Sequence, residues 1–149
     1  MAAVTATGTR QFLVFRLDDE EFGVDIRKIT TIVEKSMSIT RVPNTPDFIK
    51  GVINLRGEII PVIDSRIKFG MPPVSYEEDA RIIIIKLEDI IAGIIVEQVA
   101  EVIELNEENI ENAANIGGSL SMDYISGIGK ADGRIVTILN LEKLISLNN

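Results

Sequence analysis

Short apolar runs separated by clusters of Gly, Pro, Asn and acidic residues set the pattern of this chain, and most of them read as strands. Gln11 to Leu17 (QFLVFRL) predicts a first strand, and the acidic turn Asp18-Asp19-Glu20 leads into a short return strand, Glu21 to Asp25. Gly23 within that strand marks a bulge or a close approach of another segment. In Ile26 to Val33 the spacing of Ile26, Ile29, Ile32 and Val33 is helical, but Thr30 and Thr31 oppose it, which predicts a short helix passing into a strand. Pro43 and Pro46 punctuate the next stretch, and Asp47 to Lys50 leave room for a single helical turn before Gly51. Val52 to Leu55 and Glu58 to Ile63 flank Arg56-Gly57 and predict a tight hairpin whose tip displays an arginine. Pro61 cannot donate to a ladder, so its strand is expected at a sheet edge or bulged. Asp64 is placed to cap a helix over Ser65 to Phe69, closed by Gly70 and Pro72-Pro73.

Arg81 to Leu87 (RIIIIKL) lacks alternation, as expected of a strand covered on both faces. Ile90 to Val96 and Val99 to Leu105 follow as strands, and the polar stretch Asn106 to Met122 predicts a loop. Tyr124 to Gly129 and Arg134 to Leu139 form a last hairpin across Lys130-Ala131-Asp132-Gly133, and Asn140 caps a terminal helix with Leu141, Leu144 and Ile145 on one face. The 26 isoleucines suit pleated strands better than helices. About nine short strands indicate a barrel or paired small barrels. No tandem repeat is apparent.

Composition removes whole classes of chemistry. The 149 residues contain neither histidine nor cysteine, which excludes His-based and thiol triads, zinc fingers, disulfide scaffolds and a phosphohistidine relay on this chain. A net charge of −8 argues against a nucleic-acid surface, which needs clustered cations. Although 46% of residues are hydrophobic, no apolar run reaches the ~18 residues of a membrane span. The start of the chain lacks the pattern of a secretory signal, so a cytoplasmic protein without membrane insertion is expected. Residues 1–75 carry 10 basic and 9 acidic groups and residues 76–149 carry 5 and 14, which suggests two surfaces with different partners.

Candidate chemistry is sparse. Gly127 to Gly133 (GIGKADG) superficially resembles a phosphate loop, but Ala131 stands where a Walker loop needs Ser or Thr, and strands flank both sides. The acidic clusters Asp18 to Glu21, Glu77 to Asp79 and Glu107 to Glu111 lack the spacing of a calcium loop and sit at turns. Arg56 is either an ordinary exposed turn residue or an anchor, because its planar five-donor fork suits an interface hot spot. Lys50, Arg66 and Lys68 would surround it with positive field.

The segments QFLVF at Gln11–Phe15, EFGVDI at Glu21–Ile26, above all PDFIKGVINLRGEIIPVID at Pro46–Asp64, and later GIGKADGRIVTILNLEKL resemble the CheW family of bacterial chemotaxis coupling proteins. The resemblance implies a mainly β fold of two small SH3-like five-stranded β-barrels sharing a hydrophobic core, with short helices and a C-terminal helix. Residues 1–10 would be a flexible tail and 11–149 the domain. It implies a non-catalytic scaffold without cofactor or metal, linking chemoreceptors to the histidine kinase CheA and modulating its activity, in the cytoplasm at membrane-associated receptor arrays. By matching position, the receptor tip would meet Ile29, Thr31, Asn54, Arg56 and Gly57, and the CheW-like regulatory domain of CheA would meet Lys50 and Ile59. Thr31 departs from relatives that carry glutamate there. A receiver or kinase fusion would need more than 149 residues. A small-ligand-binding β-barrel is the alternative, and an enzyme with paired carboxylates a third.

Overall fold

The computed structural model describes residues 8–34, 38–112 and 122–146. Within them run β1 (Thr9–Leu17), β2 (Glu20–Asp25), β3 (Ile29–Glu34), β4 (Ile49–Leu55), β5 (Glu58–Asp64), α1 (Ser65–Lys68), β6 (Arg81–Lys86), β7 (Ile91–Val96), β8 (Gln98–Asn106), β9 (Ile110–Asn112), β10 (Ile125–Ala131), β11 (Arg134–Leu139) and α2 (Leu141–Leu144). They form a six-stranded sheet in the order β8-β1-β2-β11-β10-β9 and a five-stranded sheet in the order β3-β6-β7-β5-β4. Each sheet curls on itself. Its two edge strands β8 and β9 are joined by the 3-10 turn Glu107–Asn109 in the first sheet, and Thr40, beyond β3, pairs with Val52 of β4 in the second. Two small barrels result, as the resemblance implies, but one has six strands where five are expected, because Ile110–Asn112 adds a short strand.

Three apolar clusters explain why β strands hold this chain. Ile53, Ile60, Val62, Ile82, Ile84 and Ile95 fill the five-stranded barrel, and Phe12, Leu105 and Ile138 lie in the six-stranded one. Between the barrels lies the largest cluster, with Leu13, Phe15, Phe22 and Val24 from one sheet and Ile63, Ile83, Ile85 and Ile94 from the other, closed by Leu141, Leu144 and Ile145. The unbroken run of β6 therefore has a simple cause: Ile82 and Ile84 point into a barrel while Ile83 and Ile85 point into the layer between barrels.

The barrels repeat one construction. In β4–β5, Ile49 pairs with Ile63, a bulge follows, and Gly51 pairs with Val62; in β10–β11, Ile125 pairs with Leu139, a bulge follows, and Gly127 pairs with Ile138. Both hairpins turn on two residues of positive φ, Arg56-Gly57 and Asp132-Gly133, the geometry that matches strand twist. Both end in a cap, the Asp64 side chain on α1 and the Asn140 side chain on α2. A Cβ on Gly51 would sit 2.4 Å from the Thr40 carbonyl oxygen, and one on Gly127 would sit 2.7 Å from that of Glu111, so each glycine lets the closing segment approach its barrel. The sequence hides this repeat because few side chains besides Ile49/Ile125, Gly51/Gly127, Gly57/Gly133 and Ile59/Ile135 are identical, and backbone geometry carries the rest.

Several local expectations change. β1 begins at Thr9, so Thr9 and Arg10 belong to the sheet, while residues 1–7 of the expected tail lie outside the described residues. The polar stretch after Asn106 is not all loop, since Ile110–Asn112 pair with β10; residues 113–121 are outside the described ones. Asp47 to Lys50 make a turn closed by the Ile49 amide on the Pro46 carbonyl, not a helix. Pro61 lies in an interior strand, between β4 and β7, and is tolerated because pairing with β7 starts only at Val62. Gly23 is a close approach: a Cβ there would lie 3.1 Å from Val136.

Candidate functional site

The β4–β5 tip is rigid by construction. Asn54 Oδ1 accepts from the Gly57 amide at 3.1 Å, which ties the strand to its own turn and holds Arg56 at φ 53°. Asn54 stands directly across from Ile59, so their side chains share the outer face of the hairpin, and Ile59 is 61% exposed. Arg56 is exposed and has no hydrogen-bond or ion-pair partner among the described residues. Four of the predicted residues, Asn54, Arg56, Gly57 and Ile59, therefore form one patch. Lys50 lies on the same strand about 13 Å away at ~3.3 Å per residue, its Nζ 5.6 Å from the Tyr76 ring centre.

Ile29 and Thr31 do not join that patch by strand pairing. They lie on β3, which ends the strand order β3-β6-β7-β5-β4 and reaches β4 only through the Thr40–Val52 closure beyond it. Ile29 pairs with Ile85 and packs on the layer between barrels, whereas Thr31 pairs with Ile84, whose side chain fills the barrel interior. Ile32, across from Ile83, is 39% exposed, and Val102 of β8, across from Leu13, is 47% exposed. Each therefore lies on the face of its own sheet that bears the inter-barrel layer, as Ile29 and Val99 do. The sequence analysis singled out neither Ile32 nor Val102 as a site residue. Ile32 was visible as an apolar residue among threonines, but nothing in the order of residues relates it to Val102.

The positive field expected around Arg56 is smaller than predicted. The Arg66 side chain is 4% exposed, its Nη1 2.7 Å from both Asp18 Oδ1 and Glu97 Oε2. Burial opposes its charge, but the two carboxylates outweigh that and hold the guanidinium above the usual arginine pKa. Lys68 lies 3.7 Å from the Phe48 ring centre, and burial pulls its ammonium below the usual lysine range. Of the three, Lys50, Arg66 and Lys68, only Lys50 stays exposed, and it lies at the far end of β4 from Arg56. The acidic clusters also serve structure, since Glu21 binds both Arg16 and Arg134 and Asp18 binds Arg66. GIGKADG is the β10–β11 hairpin, with Lys130 paired to Glu111 at 3.1 Å.

The charge difference between the sequence halves, +1 against −9, narrows when residues are grouped by barrel. The five-stranded barrel, residues 29–96, carries 8 basic and 9 acidic groups, and the rest of the chain carries 7 and 14. The acidic body is thus the six-stranded barrel, assembled from both ends of the chain. The clefts of the surface are grooves, such as one of about 610 Å³ bordered by Arg16, Glu20, Glu21, Arg134 and Ile135, while the barrel interiors are filled by isoleucine and phenylalanine side chains. That arrangement suits macromolecular docking better than an enclosed small-ligand site.

The family model of the CheW-like domain matches residues 11–148. The chain belongs to the CheW family. It is 41% identical to the chemotaxis protein CheW of Klebsiella aerogenes over 137 residues, 92% of this chain and 82% of that protein. With the chemotaxis protein CheW of Bacillus subtilis it shares 35% identity over 146 residues, 97% of this chain and 92% of that one. Among solved structures, the scaffolding protein TtCheW from Thermoanaerobacter tengcongensis matches with a TM-score of 0.86 and 40% identity, covering 93% of this chain and 94% of that one. The two-barrel architecture is thus that of a CheW scaffold.

Proposed function

We propose that this CheW-family chain is a chemotaxis coupling scaffold that holds the cytoplasmic tip of a chemoreceptor and the CheW-like regulatory domain of the kinase CheA at the same time, and does so without catalysis. The family match over nearly the whole chain carries this reading. A scaffold acts by binding two partners in fixed geometry, and it shifts the kinase only by its differential affinity for the kinase's states. Recruitment to membrane-associated arrays follows from the receptor contact. No helix among the described residues is long and apolar enough to cross a membrane.

The geometry favours a different division of labour from the one drawn by resemblance. Asn54 and Ile59 are cross-strand neighbours, so one partner seated on the tip covers both, and a second partner needs another face. We assign the rigid tip, Asn54, Arg56, Gly57 and Ile59 with Lys50 on its flank, to the folded kinase domain. The part-exposed apolar residues Ile32 and Val102, on the inter-barrel faces of their sheets, are assigned with Ile29 to a helical receptor hairpin, whose apolar stripe needs apolar partners. Thr31, half-buried and across from Ile84, lies on the other face of β3 from Ile32, and we place it outside the docking set.

Mixing the purified protein with the kinase domain and a receptor fragment, and scoring co-elution, tests both levels. A ternary complex is expected, and its absence overturns the scaffold reading. Arg56→Ala should weaken kinase-domain binding by about 2 kcal/mol and spare the receptor, while Val102→Lys should do the reverse. Loss of receptor binding alone in Arg56→Ala would return the tip to the receptor.

A further inference from the structure

The helix α1 and the Phe69 that follows belong, through β5, to the five-stranded barrel, yet their side chains end on the other body. Arg66 Nη1 donates to Asp18 Oδ1 in the β1–β2 turn and to Glu97 Oε2 at the β7–β8 corner, each at 2.7 Å, and Nε donates to the Pro72 carbonyl at 2.8 Å. Glu97 Oε2 also accepts from the Asp18 amide at 3.2 Å, so the three groups form a closed ring. Lys68 Nζ donates to the Ser146 carbonyl just after α2 at 2.8 Å, and Phe69 stacks on Phe22 of β2 with ring centres 5.3 Å apart. One short helix therefore grips the six-stranded barrel at three points.

We propose that Arg66 is a positioning residue for coupling, which fixes the angle between the two barrels and so between the two docking faces. The apolar layer supplies cohesion, but its contacts are non-directional and allow the sheets to slide or rock. A planar guanidinium fork held by two carboxylates and a carbonyl has one orientation, so it sets direction where the apolar layer does not. Its neutralisation by Asp18 and Glu97 also lets the charge stay in a site only 4% exposed. α1 starts directly after β5, whose other end is the Arg56 tip, so a partner seated at the tip loads the strand that leads to Arg66. The geometric half of this proposal concerns the free protein; the coupling half rests on the scaffold function proposed above.

The absence of cysteine makes the test clean. Spin labels on Lys86→Cys and Glu104→Cys, exposed positions on β6 and β8, report the distance between barrels. With Arg66 in place a single narrow distribution is expected. Arg66→Met should roughly double its width, and Arg66→Lys, which keeps the charge but not the fork, should widen it as well, both with native circular dichroism and a cooperative melt. An unchanged width in folded Arg66→Met overturns the proposal. If Arg66→Met does not fold, Asp18→Asn, whose parent side chain is 56% exposed, takes its place with the same two outcomes. In the ternary assay Arg66→Met should keep each binary affinity within about twofold and lose at least about fivefold in kinase stimulation. Wild-type stimulation alongside a widened distribution overturns the coupling half. Failure of the unmodified protein to assemble both partners overturns the scaffold reading instead, and the distance measurement distinguishes the two.

Discussion

Arg56 shows what a single residue can and cannot reveal. Its place between two apolar runs and beside a glycine marked a displayed arginine, and the positive φ at Arg56 and Gly57 realises that turn. Arg66 and Lys68 have the same charge in the same stretch but are absorbed by the structure, one by carboxylates and the other by an aromatic ring and a carbonyl. Charge alone does not distinguish a docking cation from a structural one; the presence or absence of partners does. Gly51 is likewise decided by one neighbour. With φ 152° and the Thr40 carbonyl oxygen at 2.4 Å from a prospective Cβ, Gly51→Ala should destabilise the fold by about 3 kcal/mol in urea titration, with native binding for the fraction that remains folded. Tyr76 supplies a pH dependence. Burial, and the hydrogen bond of its hydroxyl to Asp64 Oδ1 at 2.7 Å, push the phenol well above its ordinary 10.0. A folded-state pKa raised in this way contributes stability that is complete below pH 10.0 and declines as pH rises past it, because the unfolded chain ionises first. Any stability advantage of wild type over Tyr76→Phe should therefore begin to shrink at about pH 10 and keep shrinking as pH rises further; parallel curves would deny the phenol this role.

At the scale of elements, the strands were legible and their partners were not. The alternating runs marked nearly every strand, since a strand with one wet face declares its period. Pro61 misled as an edge signal because the requirement it breaks, a donor to β7, arises only from Val62 onward. α1 illustrates how a four-residue helix survives. The Asp64 side chain accepts from the Arg66 and Ile67 amides, Tyr76 donates to the same carboxylate, and Ser65 Oγ donates to the Ile95 carbonyl at 2.7 Å. Asp64→Ala removes the cap and the acceptor of the 2.7 Å hydrogen bond from the buried Tyr76 hydroxyl, so a loss of about 2–3 kcal/mol is expected in chemical denaturation, several times that of Asn54→Ala. The latter loses only the 3.1 Å bond to the Gly57 amide at an exposed tip, about 0.5–1 kcal/mol.

The whole molecule is two barrels that cannot be separated without exposing their common layer. Ile63, Ile83, Ile85, Ala92, Ile94 and Val96 of the five-stranded barrel are buried there against the other body. A fragment of residues 29–96 would present these side chains to water, and burial of each is worth roughly 1.5–3 kcal/mol for the larger ones. That fragment should lack a cooperative thermal transition and well-dispersed amide signals, although its strands all pair within it. A stable, monomeric fragment would show that the layer is dispensable. The lobes share the acidic charge more evenly than the sequence halves do, −1 and −7 against +1 and −9, because the more acidic barrel is built from both ends of the chain.

Sequence by itself determined the strand-rich character, the two type-matched hairpin tips, the capped short helices, the exclusion of histidine and thiol chemistry, and a family string dense enough to place the chain. Those properties depend on local period, turn stereochemistry and residue type, each of which is written within a few neighbouring positions. Only the tertiary structure decided that Asn54 and Ile59 share one face while Ile29 and Thr31 pair with β6, that Val102 shares a face with Leu13, and that Arg66 spans two bodies. These relations join residues up to 89 positions apart, as in the Leu13–Val102 pair, and they are set by sheet order and burial, which no local window of sequence contains.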